Sequence, residues 1–322
     1  MIITIIILLA LTYLCYACFL VKPKGKVEGL SDRYVLITGC DSGFGRLLAE
    51  SLCQQKVNVF AGCLTLDAVQ ELNEKYSTIH AFILDITRAE QVEQAYELVH
   101  KTLPKDVGLW GIVNNAGILI NGFTDWLSTE DYHRIVDINL YGTIRMSNQF
   151  VPLIKIAKGR VVNVASILGI ACPFYFAPYC VSKAGVIAFS NVLRREMAPF
   201  DVSVSCMCPG LFRTPLSQPA KILEELKEKQ SKLSQQLQKT YNQKFFTSLE
   251  ESLLAIAGKA SPEVNKVTEA IEDALFSIAP REFYYIGSDA WIFLIISYLP
   301  YSLADWLFRK FSPMPNPNTS EL

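Results

Sequence analysis

Short apolar runs alternate with amphipathic stretches from residue 33 onward. "RYVLITG" (33–39), "VNVFAGC" (57–63), "HAFILD" (80–85), "LWGIVNNAG" (109–117), "GRVVNVAS" (159–166) and "DVSVSCMCPG" (201–210) are short, apolar and continuous. Such runs predict strands buried on both faces. Segments with a helical period lie between them, at 44–56, 65–75, about 88–102, about 130–152 and after Pro178. Strand–helix alternation of this kind predicts a doubly wound α/β fold with a parallel sheet.

The flanks depart from that rhythm. Residues 1–21 carry no charge, and as a helix they would measure about 30 Å, the thickness of a bilayer core. Lys22, Lys24 and Lys26 follow. A cleaved signal peptide fits poorly, because the basic residues come after the apolar run. The segment is expected to be an N-terminal membrane anchor helix, with 22–31 as a linker. The lysines place the folded domain on the cytosolic side, whereas the sequon at Asn318 would need a lumenal tail. Residues 221–258 are charged and Gln-rich with apolar positions at helical spacing. They read as a solvated helix or as a cover over a substrate cleft, spanning about 215–258. The stretch 291–308 is strongly apolar but interrupted by Pro300 and Asp305. It opens an apolar C-terminal helical region, 291–322, that either lies in a membrane interface or packs on the domain.

Composition sharpens the picture. Hydrophobic residues make up 51% and charged residues 19%, more apolar than an average soluble domain, which again points to a membrane. A net charge of −1 gives no reason to expect a nucleic-acid partner. The 9 cysteines show no disulfide framework, and Cys15 and Cys18 sit in an apolar run where packing explains them. The 3 histidines, His80, His100 and His133, do not pair with cysteines at zinc-ligand spacing, so no metal is expected.

Two local patterns carry chemistry. "TGCDSGFG" (38–45) places Gly39, Gly43 and Gly45 between the first strand and the first helix. Glycines there permit a tight turn and let backbone and a helix N-terminus approach a pyrophosphate. No Arg or Lys lies at 61–67 to meet a 2′-phosphate, and Asp41 would repel one, so NAD is favoured over NADP. Asp67 comes slightly late to be the usual acidic partner of the ribose. The second pattern is Tyr179 and Lys183, four apart on one helix face. A nearby ammonium would lower the phenol pKa and make Tyr179 a usable proton acceptor. Taken alone, the pair is equally well a snorkelling lysine beside an amphipathic ring.

The ordered set decides between these readings. "TGCDSGFG", "NNAG" (114–117), Asn139 in "DINLYG", Ser166 in "NVAS", Tyr179-x-x-x-Lys183 and "PG" (209–210) follow one another along the chain. The set resembles the short-chain dehydrogenase/reductase family. "GLWGIVNNAGI", "KGRVVNVASILG" and "YCVSKAGVIAFSNVLRRE", with the C-terminal "ISYLPYSLADWL", resemble its membrane-bound retinol and 17β-hydroxysteroid dehydrogenase branch. The resemblance implies a Rossmann-type domain over 32–290. It implies NAD-dependent interconversion of lipophilic alcohols and carbonyls, retinoid or steroid, on endoplasmic-reticulum membranes, and possible homo-oligomers. It implies a catalytic set of Asn139, Ser166, Tyr179 and Lys183, with Ser166 and Tyr179 also meeting substrate and Asn139 holding a water in a proton relay. The implied cofactor contacts are Gly39, Asp41, Ser42, Gly43, Phe44, Gly45, Asp85, Asn114, Ala116, Gly117, Tyr179, Lys183, Pro209, Gly210 and Thr214. Two stretches depart from the branch: "ACPFYFAPYC" (171–180) is bulky where glycines are usual, and Ala165 replaces the first residue of a Ser-Ser pair. Two other readings remain open: an NADPH-dependent carbonyl reductase, and a catalytically silent dinucleotide-binding membrane protein.

Overall fold

Successive residues of the first strand face opposite layers, which is how a period of two builds a covered sheet. Val35 and Ile37 join one fully buried core and Leu36 joins the other. The computed structural model describes residues 7, 13, 25–311, 315 and 317. The anchor expected at 1–21 and the sequon at Asn318 lie outside the described residues, apart from Ile7 and Tyr13.

Seven parallel strands form one sheet in the order β3-β2-β1-β4-β5-β6-β7. They are β1 (Tyr34–Thr38), β2 (Asn58–Cys63), β3 (Ile79–Ile83), β4 (Gly111–Asn114), β5 (Arg160–Val164), β6 (Ser203–Pro209) and β7 (Phe283–Ile286). The helices are α1 (Gly43–Gln54), α2 (Leu66–Lys75), α3 (Ala89–Thr102), α4 (Thr129–Val136), α5 (Gly142–Ala157), α6 (Leu168–Ala171), α7 (Ala177–Met197), α8 (Pro219–Lys232), α9 (Gln235–Thr240), α10 (Gln243–Gly258), α11 (Asn265–Phe276), α12 (Ser288–Ser297) and α13 (Tyr301–Phe311). Leu48, Leu52, Leu72 and Ile271 bring α1, α2 and α11 onto one face. Val92, Val99, Phe150 and Leu193 bring α3, α5 and α7 onto the other. This is the expected Rossmann-like arrangement. Strand order reverses between β1 and β4, which opens a ligand crevice beyond their C-terminal ends.

Three features differ from the sequence expectation. β7 and α11 fall in a region to which the alternation assigned no element. The helix expected over 130–152 is two helices joined by a π turn at Asp137–Tyr141, and α5 runs on to Ala157 past Pro152. The linker is not free from residue 25 on: the Val27 amide donates to the Phe276 carbonyl at 2.7 Å, and Val27 and Leu30 pack on the core. Among the described residues no helix is long and apolar enough to cross a membrane. The apolar 291–308 stretch forms α12, α13 and the link between them, with Trp291, Ile292, Ile295, Tyr298, Tyr301 and Trp306 exposed.

Candidate active site

The glycine turn is shaped by contacts that no side chain could share. Gly39 and Gly43 have φ of 72° and 61°, in the left-handed region that favours glycine. A Cβ on Gly39 would lie 2.9 Å from Ala116 Cα, and one on Gly45 would run into the Gly39 carbonyl oxygen. Thr38 and Asn115 clamp the turn to β4. Thr38 Oγ1 accepts from the Asn115 and Ala116 amides, each at 3.0 Å, and Asn115 Nδ2 donates to the Thr38 and Gly39 carbonyls at 2.9 and 3.2 Å. Ser42 stands at the N-cap of α1 without a side-chain cap bond, so the first amides of α1 are available to an anion. Phe44 packs edge-on to Phe212 at 6.1 Å between centroids.

Asp41 reaches across to the end of β2. Its carboxylate accepts from the Leu64 amide at 2.9 Å and from the Thr65 amide and hydroxyl, each at 2.9 Å. The acidic group missing from the end of β2 is therefore supplied by the glycine turn. At the neighbouring strand, Asp85 lies two residues past β3. Burial alone would raise its carboxyl, but Thr87 donates to it through its amide at 2.9 Å and its hydroxyl at 2.7 Å, which holds it below the usual aspartate range.

Asn114 ends β4 and anchors a buried amide ladder. Its Nδ2 donates to Ser147 Oγ at 3.0 Å and Asn163 Oδ1 at 2.8 Å, and Asn163 donates on to Ser190 at 2.9 Å. At the far side, Pro209 closes β6, and the Gly210 amide donates to the Ile286 carbonyl at 2.8 Å. Asp289 of α12 accepts from the Leu211 amide at 2.6 Å, and a Cβ on Gly210 would strike its carboxylate. Thr214 caps the short turn Pro215–Ser217, with its amide donating to Ser217 Oγ at 3.0 Å.

The four residues of the implied catalytic set converge at the mouth of β4 and β5. Asn139 is fully buried in the π turn, a feature that often marks functional sites. Its Nδ2 donates to the Ile118 carbonyl and Ser182 Oγ, each at 3.0 Å, and its Oδ1 accepts from the Ile118 amide at 2.8 Å. Ser182 donates to the Tyr179 carbonyl at 2.8 Å, so this amide fixes the helix turn that carries Tyr179. A Cβ on Gly117 would lie 3.1 Å from Asn139 Oδ1 and 3.5 Å from Lys183 Nζ. The two polar atoms thus face the same small space, which only a glycine leaves open.

Ser166 follows β5 and is buried; its Oγ accepts from the Leu168 amide at 3.2 Å and hydrogen-bonds the Tyr179 phenol. Tyr179 keeps part of its surface open, yet burial pushes its phenol up to about 12, opposed only in part by Ser166. Burial also pushes Lys183 down to about 8, and its Nζ donates to the Val164 carbonyl at 2.7 Å. The ammonium stands 5.8 Å from the Tyr179 ring centroid. In the polypeptide by itself, therefore, desolvation dominates the phenol rather than the Lys183 charge expected to lower it.

Aromatic rings build the opposite wall. Phe123, Trp126, Phe174, Tyr175 and Phe176 pack with Leu226, Phe245, Phe246 and Leu249 of α8 and α10 in a cluster separate from the sheet cores. Phe123 and Trp126 meet edge-on at 4.8 Å, and Tyr241 meets Phe245 at 4.9 Å. Tyr175 has φ of 74° and its carbonyl accepts from the Gly122 amide at 2.7 Å. Two polar pins hold the lid: Lys229 Nζ donates to Asn121 Oδ1 at 2.7 Å, and Tyr241 donates to Asp125 at 2.8 Å. Trp126 Nε1 is buried without an acceptor among the described residues. The helices at 215–258 thus pack on this ring cluster rather than standing free on the surface.

Sequence reasoning did not single out Thr38, Asn115, Ser182 or Asp289, nor the amide-ladder partners Ser147 and Asn163, nor the lid residues Phe123, Trp126, Tyr241 and Phe245. Thr38 and Asn115 stood inside quoted motifs. Ser182 and Asp289 had no local signal.

Comparison with known proteins places these features in context. The family model for short chain dehydrogenase matches residues 33–225. The chain is 40% identical to human (Homo sapiens) 17-beta-hydroxysteroid dehydrogenase type 6 over 96% of this chain and 98% of the relative. It is 39% identical to Retinol dehydrogenase 16 of Rattus norvegicus, again over 96% and 98%. A short-chain dehydrogenase from Streptomyces avermitilis has the same fold, with a TM-score of 0.68 at 23% identity over 86% of this chain and 96% of that one.

Proposed function

This chain belongs to the short-chain dehydrogenase family, and we propose that within it the protein is an NAD-dependent dehydrogenase of lipophilic alcohols. The family membership makes it an oxidoreductase acting on alcohols, whose relatives include retinol and 17-beta-hydroxysteroid dehydrogenases. The observation that carries the finer reading is the convergence of Ser166, Tyr179, Lys183 and Asn139 on one crevice beside a glycine turn that fits a dinucleotide.

The fit rests on the polypeptide. Gly39, Gly45 and Gly117, where a Cβ would crowd its neighbours, Gly43 with its positive φ, and the uncapped start of α1 together form a cradle. Gly39, Ser42, Gly43, Phe44 and Gly45 would hold the pyrophosphate. Asp41 would meet the adenosine ribose, Asp85 the adenine, and Asn114, Ala116, Gly117, Pro209, Gly210 and Thr214 the nicotinamide half. A carboxylate fixed at the end of β2 repels a 2′-phosphate and accepts from a 2′-hydroxyl, which supports NAD. The bound nicotinamide supplies the hydride acceptor.

The chain's own residues manage the proton. Ser166 Oγ holds the substrate oxygen, and Tyr179 takes the alcohol proton during oxidation or returns one during reduction. A phenol near 12 is a poor base at neutral pH. Lys183, close to its own titration range, and the space it shares with Asn139 Oδ1 provide the route by which that proton leaves.

The test is NADH formation by membranes carrying the full chain, with NAD⁺ or NADP⁺ and either all-trans-retinol or a 3α- or 17β-hydroxysteroid. Turnover with NAD⁺ that Tyr179→Phe abolishes is expected. Turnover that survives Tyr179→Phe would refute the proton-transfer assignment, and preference for NADP⁺ would refute the role of Asp41. The membrane site rests on residues 1–21 and the outward apolar residues of α12 and α13, with the endoplasmic reticulum as the implied membrane.

A further inference from the structure

Two thiols meet where α6 packs on α7, and the reaction uses neither. Gly169 in α6 lies so close to α7 that a Cβ there would come within 2.8 Å of the Lys183 carbonyl carbon and 2.9 Å of the Ala184 nitrogen. Cys172 follows three residues after Gly169 and ends α6 in the left-handed region, φ 47°. Cys180 lies one helical turn before Ala184. The same close approach therefore sets these two side chains against each other, within hydrogen-bonding reach. With Pro173, Ala177, Val181 and Ala184 they line one surface cavity of about 290 Å³.

The partners are unequal. Cys172 is exposed and Cys180 is buried. The contact with Cys180 lowers the Cys172 thiol, while the same contact and burial raise Cys180. An exposed thiol with a large thiolate fraction beside a second cysteine is an attacking and resolving pair. Between them runs the aromatic strap that departs from the retinol and hydroxysteroid branch, and Tyr179 immediately precedes Cys180.

We propose that Cys172 and Cys180 form a reversible intrachain disulfide that clamps the 172–180 strap over the substrate crevice. The oxidant is a peroxide. The Cys172 thiolate attacks one peroxide oxygen, the O–O bond breaks, and Cys172 becomes a sulfenic acid as the other oxygen leaves as water or an alcohol. The Cys180 sulfur then attacks the Cys172 sulfur, the S–OH bond breaks, and water leaves with the Cys180 proton. Two thiols lose two electrons and two protons, which the peroxide takes up. A reducing dithiol reverses the bond by exchange. A disulfide needs Cβ atoms about 3.8 Å apart, so closure draws the strap end onto α7 and holds Phe174–Phe176 against the lid. Formation of the bond is independent of the enzymatic reading; only its effect on turnover rests on that reading.

One tryptic peptide, residues 161–183, contains both cysteines and no other. Full-length protein in membranes is treated with hydrogen peroxide or dithiothreitol, alkylated, and mapped by mass spectrometry. The expected result after peroxide is this peptide lighter by two hydrogens and closed to alkylation, restored by dithiothreitol and absent in Cys172→Ser. Alcohol turnover should fall about tenfold with the bond and recover on reduction, about 1.4 kcal/mol in the barrier, with Cys172→Ser insensitive. Alkylation of both cysteines after peroxide, or Cys172 carrying a sulfinic acid beside a free Cys180, would overturn the pair. A disulfide that leaves turnover unchanged would overturn the clamp. A disulfide that forms in a protein inactive under both conditions would instead count against the dehydrogenase reading.

Discussion

The glycine-turn wall of the crevice is held by backbone and short polar side chains: Thr38, Asn115, Asn114, Asn139 and Asn163 each bridge two elements through hydrogen bonds near 3 Å. The opposite wall is held by rings, with Phe123, Trp126, Tyr241 and Phe245 in mutual contact and, among the described residues, two polar pins from the lid helices to the domain. Hydrogen-bonded amides fix positions to a few tenths of an ångström, because geometry and desolvation both punish displacement. Ring packing is less directional, so a lid can shift and re-form around a greasy ligand. Under the proposed function the two walls divide the work: one would set the reaction geometry, and the other what enters.

The largest effect expected from separating these roles is at Tyr179. Tyr179→Phe should lower kcat by about 10²–10⁴, the usual contribution of a positioned acid–base group, while NADH binding followed by fluorescence stays intact. If binding is lost with activity, the two walls are not independent. Phe245→Ala tests the other wall. Removing a buried phenylalanine costs about 3–5 kcal/mol, and because the lid cluster is separate from the sheet cores the cost should fall locally. Amide exchange should quicken across α8–α10 while the strands keep their protection. Uniform loss of protection would show that lid and sheet unfold together.

Asp41→Ser removes the carboxylate planted at the end of β2 and should shift the NAD⁺ to NADP⁺ preference by about tenfold, or about 1.4 kcal/mol, measured as a ratio of kcat/KM values. The smallest effect is a pH slope. Lys183 holds its proton less tightly when folded, with its pKa down from 10.5 to about 8. Between those values the unfolded chain binds more protons, so this group makes stability rise with pH. Tyr179 acts in the opposite sense above 10, because its folded pKa is raised to about 12. Comparing thermal unfolding of the wild type and Lys183→Met from pH 8 to pH 10 should show a rise that the variant lacks.

Local pattern carried the strands that cover both faces. β1, β2, β4 and β5 each contain a continuous apolar run closed by a turn residue, and each stands within one to three residues of its expected span. β7 escaped because "FYYI" is four residues long and becomes a strand only by pairing with β6 across a long crossover. The π turn escaped because the 3.6-residue period runs through it almost undisturbed, while its consequence, Asn139 turned fully inward, depends on Ile118 and Ser182 arriving from elsewhere. Asp289 had no local signal, since its role is to meet an amide 78 residues earlier.

By itself the sequence determined the parallel α/β layering, the glycine turn at the first strand, and the order of motifs from Gly39 to Gly210. These follow from period, chain order and the conformational freedom of glycine, all of which are local. Tertiary structure alone decided that Asp41 serves the end of β2 and that the 215–258 helices close over a ring cluster. It also decided that Tyr179 and Lys183 are both shifted toward neutrality, and that Cys172 faces Cys180. Each of these depends on what burial places beside a group, because desolvation and short-range contact are properties of a packed neighbourhood rather than of a stretch of chain.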